Sequence, residues 1–138
     1  MYTGITRGTF PVLEVVNGAG HIDLTVELND ELVRGLVAGA SVSIDGVCLT
    51  AVSIEGPRVS FQAIEETLRL TTLGALRPGS IVSVERSLRA GDEIGGHELA
   101  GHVIGTGTVA ERVPRGDGLD LKVAVPPEWM KFVFVKGF

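Results

Sequence analysis

Ser41-Val42-Ser43-Ile44-Asp45-Gly46-Val47-Cys48-Leu49-Thr50 is the stretch whose reading decides the fold of this chain. Val42 and Ile44 alternate with Ser41 and Ser43, Asp45-Gly46 interrupts, and Val47 and Leu49 then alternate with Cys48 and Thr50. Two alternating runs separated by Asp-Gly predict a hairpin, because both central residues of its tight turn take φ > 0. Strand side chains have period two, so Cys48 and Thr50 share one face and Val47 and Leu49 the other. A thiol and a hydroxyl on one face can line a small polar pocket. The same ten residues also fit a half-buried strand whose cysteine packs in the core.

Outward from this hairpin, the pattern is one of short strands and tight turns. Tyr2–Val16 reads as a strand broken by Gly4, Gly8 and Pro11, and Asn17–Gly20 as a loop. His21–Leu28 follows in clean alternation. Asn29 or Asp30 caps a short helix over Glu31–Leu36. Beyond the hairpin, Glu55-Gly56-Pro57 turns the chain into a strand at Arg58–Ile64, and Glu65–Arg69 begins a polar helical turn. Ile81–Leu88 is a strand, Ala90–Ala100 a long connection, and Gly101–Arg112 and Leu119–Val125 are further strands. Pro126-Pro127-Glu128 opens a last helix through Trp129 and Phe132, with Trp129 read as a core plug. This spacing, with glycine-rich turns and only brief helices, predicts an all-β fold, an antiparallel barrel or sandwich.

Composition narrows the function classes. The 138 residues allow one domain, or one domain plus part of another, and 44% are hydrophobic and 21% charged. A net charge of −5 with 5% aromatics argues against nucleic acid as a partner. No apolar run approaches the length of a membrane span, and the N-terminus lacks a basic-then-apolar leader, so no membrane partner is expected. One cysteine cannot form an internal disulfide, which fits a cytoplasmic location.

The chain also echoes itself. With an offset of 97 positions, Ile22-Asp23-Leu24 falls on Leu119-Asp120-Leu121, and Val26, Leu28 and Leu32 fall on Val123, Val125 and Trp129. Residues 1–97 therefore read as one complete barrel and residues 98–138 as the opening part of a second, similar one. Phe138 falls on Ser41, so the second copy stops where its own hairpin would begin, as expected of a piece of a longer chain.

With these features together the sequence resembles riboflavin synthase of the alpha-chain type. The motifs are Met1-Tyr2-Thr3-Gly4-Ile5, Ser41–Thr50, Glu66-Thr67-Leu68-Arg69 with Thr72-Leu73-Gly74, and Val84-Glu85-Arg86. To these add Gly91–His97, Gly101-His102-Val103, and Met130-Lys131 with Lys136-Gly137-Phe138. The resemblance implies dismutation of two 6,7-dimethyl-8-ribityllumazine molecules into riboflavin and 5-amino-6-ribitylamino-uracil, the last step of riboflavin biosynthesis. It also implies an all-β fold, a six-stranded antiparallel Greek-key barrel with short helices followed by the start of a second similar barrel, as well as a homotrimer, association with lumazine synthase, and no metal or organic cofactor. A non-catalytic lumazine- or flavin-binding protein on the same barrel is the alternative.

By resemblance, the substrate-binding backbone segments are Gly4-Ile5-Thr6, Cys48-Leu49-Thr50, Gln62-Ala63-Ile64-Glu65-Glu66-Thr67 and Gly101-His102-Val103. Glu66 and Thr67 would hold ribityl hydroxyls, and Lys136 would contribute from the second barrel. His102 titrates near neutral pH and is the candidate proton-transfer residue. Cys48 is a candidate for addition as a thiolate, with a bound water as the alternative, and Ser41 a candidate hydrogen-bonding partner near the ring. Glu65 and Glu66 also fit plain helix-start charges, and His97 a loop-holding role. Cys48, His97 and His102 match no usual zinc spacing. The family carries phenylalanine at position 2; here Tyr2 brings a hydroxyl that needs a partner wherever it packs.

Overall fold

In the computed structural model, which describes residues 1–137, six strands close into one antiparallel barrel. They are β1 (Thr9–Gly18), β2 (His21–Glu27), β3 (Ser41–Ile44), β4 (Val47–Glu55), β5 (Arg58–Ile64) and β6 (Ile81–Arg86). The order around the barrel is β1-β2-β5-β4-β3-β6, with β1 returning to β6. Closure gives every strand a neighbour on both sides, which limits how much strand edge is left exposed. Among the described residues, no helix is long and apolar enough to cross a membrane.

Local chemistry accounts for the turns. Asp45 and Gly46 take φ of 49° and 82°, as a two-residue hairpin requires, and the register runs from Ser41 opposite Thr50 to Ile44 opposite Val47. The Asp45 carboxylate also accepts from the Ser83 amide at 2.7 Å, which ties this turn to β6. Alternation then sorts the side chains: Val42, Ile44, Val47 and Leu49 point inward with Leu24, Val26, Val59, Phe61, Val82 and Val84 into a single core. Helix α1 (Asp30–Val33) is capped by the Asn29 side chain accepting from the Leu32 amide at 2.9 Å. Leu32 and Leu36 from this segment close one part of the core. Helix α2 (Glu65–Leu70) leaves directly from the end of β5.

Several boundaries differ from the sequence reading. Tyr2 is not part of β1; it forms an isolated bridge to Leu99, because Gly4 and Gly8 take positive φ and break the strand. The loop after β1 shrinks to Ala19-Gly20, and α1 ends at Val33 because Gly35 adopts φ of 64°. The strand expected over Gly101–Arg112 begins only at Thr108; Gly101 is left-handed at φ of 72°, and its carbonyl is spent on β4.

The chain divides into two units, Met1–Ile104 and Gly105–Phe138. The second unit holds a hairpin of β7 (Thr108–Arg115) and β8 (Gly118–Ala124), followed by a 3-10 turn over Pro127–Phe132. Its register pairs Val109 with Val123 and Arg115 with Gly118, with a bulge between Val109 and Glu111. Pro114 lies inside β7, opposite Leu119, which a two-stranded ribbon tolerates because each strand has an edge away from its partner. Trp129 is half-buried with its ring over Gly105, so it is not the core plug the sequence suggested. Val109, Leu119, Leu121 and Val123 are all exposed. Phe138, the last residue of the closing motif, lies outside the described residues.

Candidate functional site

The site grows from an irregularity in β4. Pairing between β4 and β5 starts only at Ala51, so the first half of β4 has a free edge. The Cys48 amide there donates to the Gly101 carbonyl at 3.0 Å. Period two puts Val47 and Leu49 in the core and leaves Cys48 half-buried and Thr50 exposed on the outer face. Between this edge, α2 and residues 101–103 lies a cavity of about 200 Å³. Its wall includes Cys48, Glu66, Thr67, Gly101, His102 and Val103. The same Gly101–Val103 segment also lines a second cavity of about 570 Å³, with Tyr2, Gly4, Thr6 and Glu85.

The residues nominated from sequence fall into groups. Cys48, Glu66, Thr67, Gly101, His102 and Val103 meet in the smaller cavity. Gly4 and Thr6 line the larger one, and Ile5 lines a third hollow with Arg7 and Asp92. Leu49 and Ala63 point into the core, so only their backbone is available to a ligand, and Thr50 and Ile64 are exposed. Gln62 is exposed and donates to Asp23 at 3.0 Å, while the Glu65 amide donates to the Gly20 carbonyl. Ser41 sits opposite Thr50. Lys136 belongs to the second unit, with φ of 55°.

Charge in the smaller cavity is set by one pair. Arg69 donates to both Glu66 oxygens, at 3.0 and 2.7 Å, and this hydrogen-bonded guanidinium holds the Glu66 carboxyl below its usual range. Glu66 therefore accepts hydrogen bonds as an anion at neutral pH. His102 is exposed on the wall of the same cavity.

Two residues without an assigned role prove central. Tyr2 is buried at 2% exposure, and its hydroxyl donates to Cys48 Sγ at 3.1 Å. That contact supplies the partner the extra hydroxyl demanded. Glu85, buried on the outer face of β6, accepts from the Thr3 amide at 2.6 Å, the Thr3 hydroxyl at 2.8 Å and the Gly4 amide at 3.1 Å. It pins the N-terminal segment beside the larger cavity. No local pattern marks it, since an outward carboxylate on an alternating strand reads as solvated. Glu85→Gln replaces an acceptor facing three donors with a group that is half donor. Urea denaturation is expected to show a loss of about 1–3 kcal/mol with the far-ultraviolet spectrum retained.

The buried phenol gives a pH signature. Burial first, then the hydrogen bond with Cys48, push the Tyr2 pKa above its ordinary value. Above about pH 10 the unfolded chain's tyrosine ionises while the folded one keeps its proton, so this contribution to stability falls as pH rises. Urea melts at pH 9 and 11 are expected to show a steeper loss for the native chain than for Tyr2→Phe, by up to about 1.4 kcal/mol per pH unit.

The family model described as "Lumazine binding domain" matches residues 3–87, the span that contains all six barrel strands. The chain belongs to that family. It is similar over its whole length to the riboflavin synthase of Escherichia coli (strain K12), with 40% identity over 139 residues. It is also similar to the riboflavin synthase of Brucella abortus (strain 2308), at 34% identity over 89% of this chain and 68% of that one. The chain spans 65% of the Escherichia coli relative's length. Among solved structures, LumP complexed with 6,7-dimethyl-8-(1'-D-ribityl) lumazine shares the fold at a TM-score of 0.81 and 23% identity, over 93% of this chain and 71% of that one. LumP complexed with riboflavin does so at 0.83 and 23%, over 95% of this chain and 71% of that one.

Proposed function

We propose that the barrel binds 6,7-dimethyl-8-ribityllumazine in the cavity between β4 and α2, as part of a riboflavin synthase. The observation that carries this reading is the convergence of Cys48, Glu66, Thr67 and Gly101–Val103, three distant stretches of chain, on one cavity beside a free strand edge. A flat pteridine presents ring acceptors and carbonyls that suit backbone donors, and its ribityl hydroxyls suit Glu66 and Thr67. His102 is the proposed proton-transfer residue for the acidic methyl group of one lumazine, and Cys48 or a water adds to the other. Ser41, Gly4–Thr6, Leu49, Thr50 and Gln62–Glu65 are proposed as further ligand contacts of the first barrel, and Lys136 as one supplied by the second barrel of a neighbouring subunit.

Residues 1–97 are proposed as the first lumazine-binding barrel and 98–138 as the opening part of a second. Pairings within the two hairpins support this. Val12–Val26 and Gly18–His21 in the first correspond, at the same offset of 97, to Val109–Val123 and Arg115–Gly118 in the second. The bulge after Val12 corresponds to the bulge after Val109. Val12, Ile22, Leu24 and Val26 are buried, while their counterparts Val109, Leu119, Leu121 and Val123 are exposed. Formation of riboflavin is proposed to need a completed second barrel from a neighbouring subunit of a homotrimer.

Mixing the purified chain with 6,7-dimethyl-8-ribityllumazine, while following ligand fluorescence and riboflavin absorbance, tests this reading. Saturable binding is expected. Riboflavin formed by this chain alone would overturn the need for a second barrel, and absence of binding would overturn the ligand assignment. Binding that never yields riboflavin, even in a chain extended to a full second barrel, would favour the carrier alternative.

A further inference from the structure

We propose that Tyr2 is a positioning residue for the cavity between β4 and α2, its hydroxyl holding the Cys48 thiol and its ring carrying Gly101. The inference rests on the ligand reading above and names a residue that reading does not use. Tyr2 exchanges backbone hydrogen bonds with Leu99, at 2.8 and 2.9 Å, which lays the ring beneath the crossing segment. A Cβ on Gly101 would stand 2.8 and 3.0 Å from Tyr2 ring carbons and 3.1 Å from the Cys48 Cβ, so the three residues are stacked without a gap. The phenol donates to Cys48 Sγ on the outer face of the β3–β4 hairpin, the face that Ser41 shares.

The consequence is geometric. An O–H aimed at sulfur selects one rotamer of Cys48 and occupies one of its lone pairs. Gly101 rests on the same ring and His102 follows it directly, so the thiol and the backbone that carries the imidazole are held by a single side chain. The ring and the hydroxyl act separately: phenylalanine at position 2 keeps the support of Gly101 and releases the sulfur.

Cys48 is the only cysteine in the sequence, so iodoacetamide reads it alone. The alkylation rate at pH 8 is expected to differ about fivefold between Tyr2→Phe and the native chain, the factor that corresponds to one lost hydrogen bond to the reacting sulfur. Fluorescence titration with 6,7-dimethyl-8-ribityllumazine is expected to weaken about three- to tenfold in Tyr2→Phe and in Cys48→Ala, and no further in the double variant. Cys48→Ser keeps an acceptor for the phenol and is expected to retain most of the affinity. Equal alkylation rates, or affinity losses that simply add, would overturn the proposal. If the native chain binds no lumazine, the ligand reading fails and the alkylation rates alone decide the Tyr2–Cys48 contact.

Discussion

Replacing Gly101 with alanine is expected to weaken 6,7-dimethyl-8-ribityllumazine binding by more than tenfold while leaving the barrel folded. Two effects add at this position. The backbone sits at φ of 72°, a conformation that costs an L-residue about 1–2 kcal/mol. The new Cβ would also press on the buried Tyr2 ring, at 2.8 and 3.0 Å, and on the Cys48 Cβ, at 3.1 Å. Relief comes from lifting residues 101–103, which removes the shared wall of both cavities and breaks the bond from the Cys48 amide. The core does not include Gly101, so the melting temperature is expected to drop by only several degrees. Lumazine titration beside a thermal melt checks the prediction; unchanged affinity would mean that the segment does not form the binding wall.

Phe61→Ala is expected to have the largest effect on stability, about 3–5 kcal/mol, because it empties the centre of the barrel. Phe61 is fully buried and pairs across β5 with Leu24 on one side and Ala51 on the other, so no side chain can swing in from solvent to fill the void. A domain of this size has roughly 5–15 kcal/mol in total, so the variant sits close to its unfolding threshold. Its melting temperature should fall by roughly 15–30 °C, whereas Val52→Ala, at a strand position open to solvent, should change little. A small shift for Phe61→Ala would mean that the barrel interior collapses around the void.

What the sequence determined by itself was the set of elements whose causes are local. Asp45-Gly46 closes a hairpin because two adjacent residues accept positive φ, and alternation puts Val47 and Leu49 on one face and Cys48 and Thr50 on the other, while only the structure shows which face meets the core. Arg58–Ile64 is a strand with the predicted limits, and Asn29 caps α1 as its side chain suggests. These are properties of neighbours a few positions apart, and pattern reads them directly. The gathering of Cys48, Glu66 and His102 was reachable only through resemblance, since no spacing rule brings those stretches together.

Tertiary structure alone decided how the outer face is covered. Tyr2 meets Cys48 across 46 positions and Glu85 meets Thr3 across 82, and both contacts depend on where barrel closure delivers the N-terminal segment. The extension of β1 back to Tyr2 failed for the same reason: the segment's hydrogen bonds go to Leu99 and Val84, partners that a strand pattern does not name. Polar groups that lose water must find partners wherever packing places them, and that placement is a property of the closed barrel.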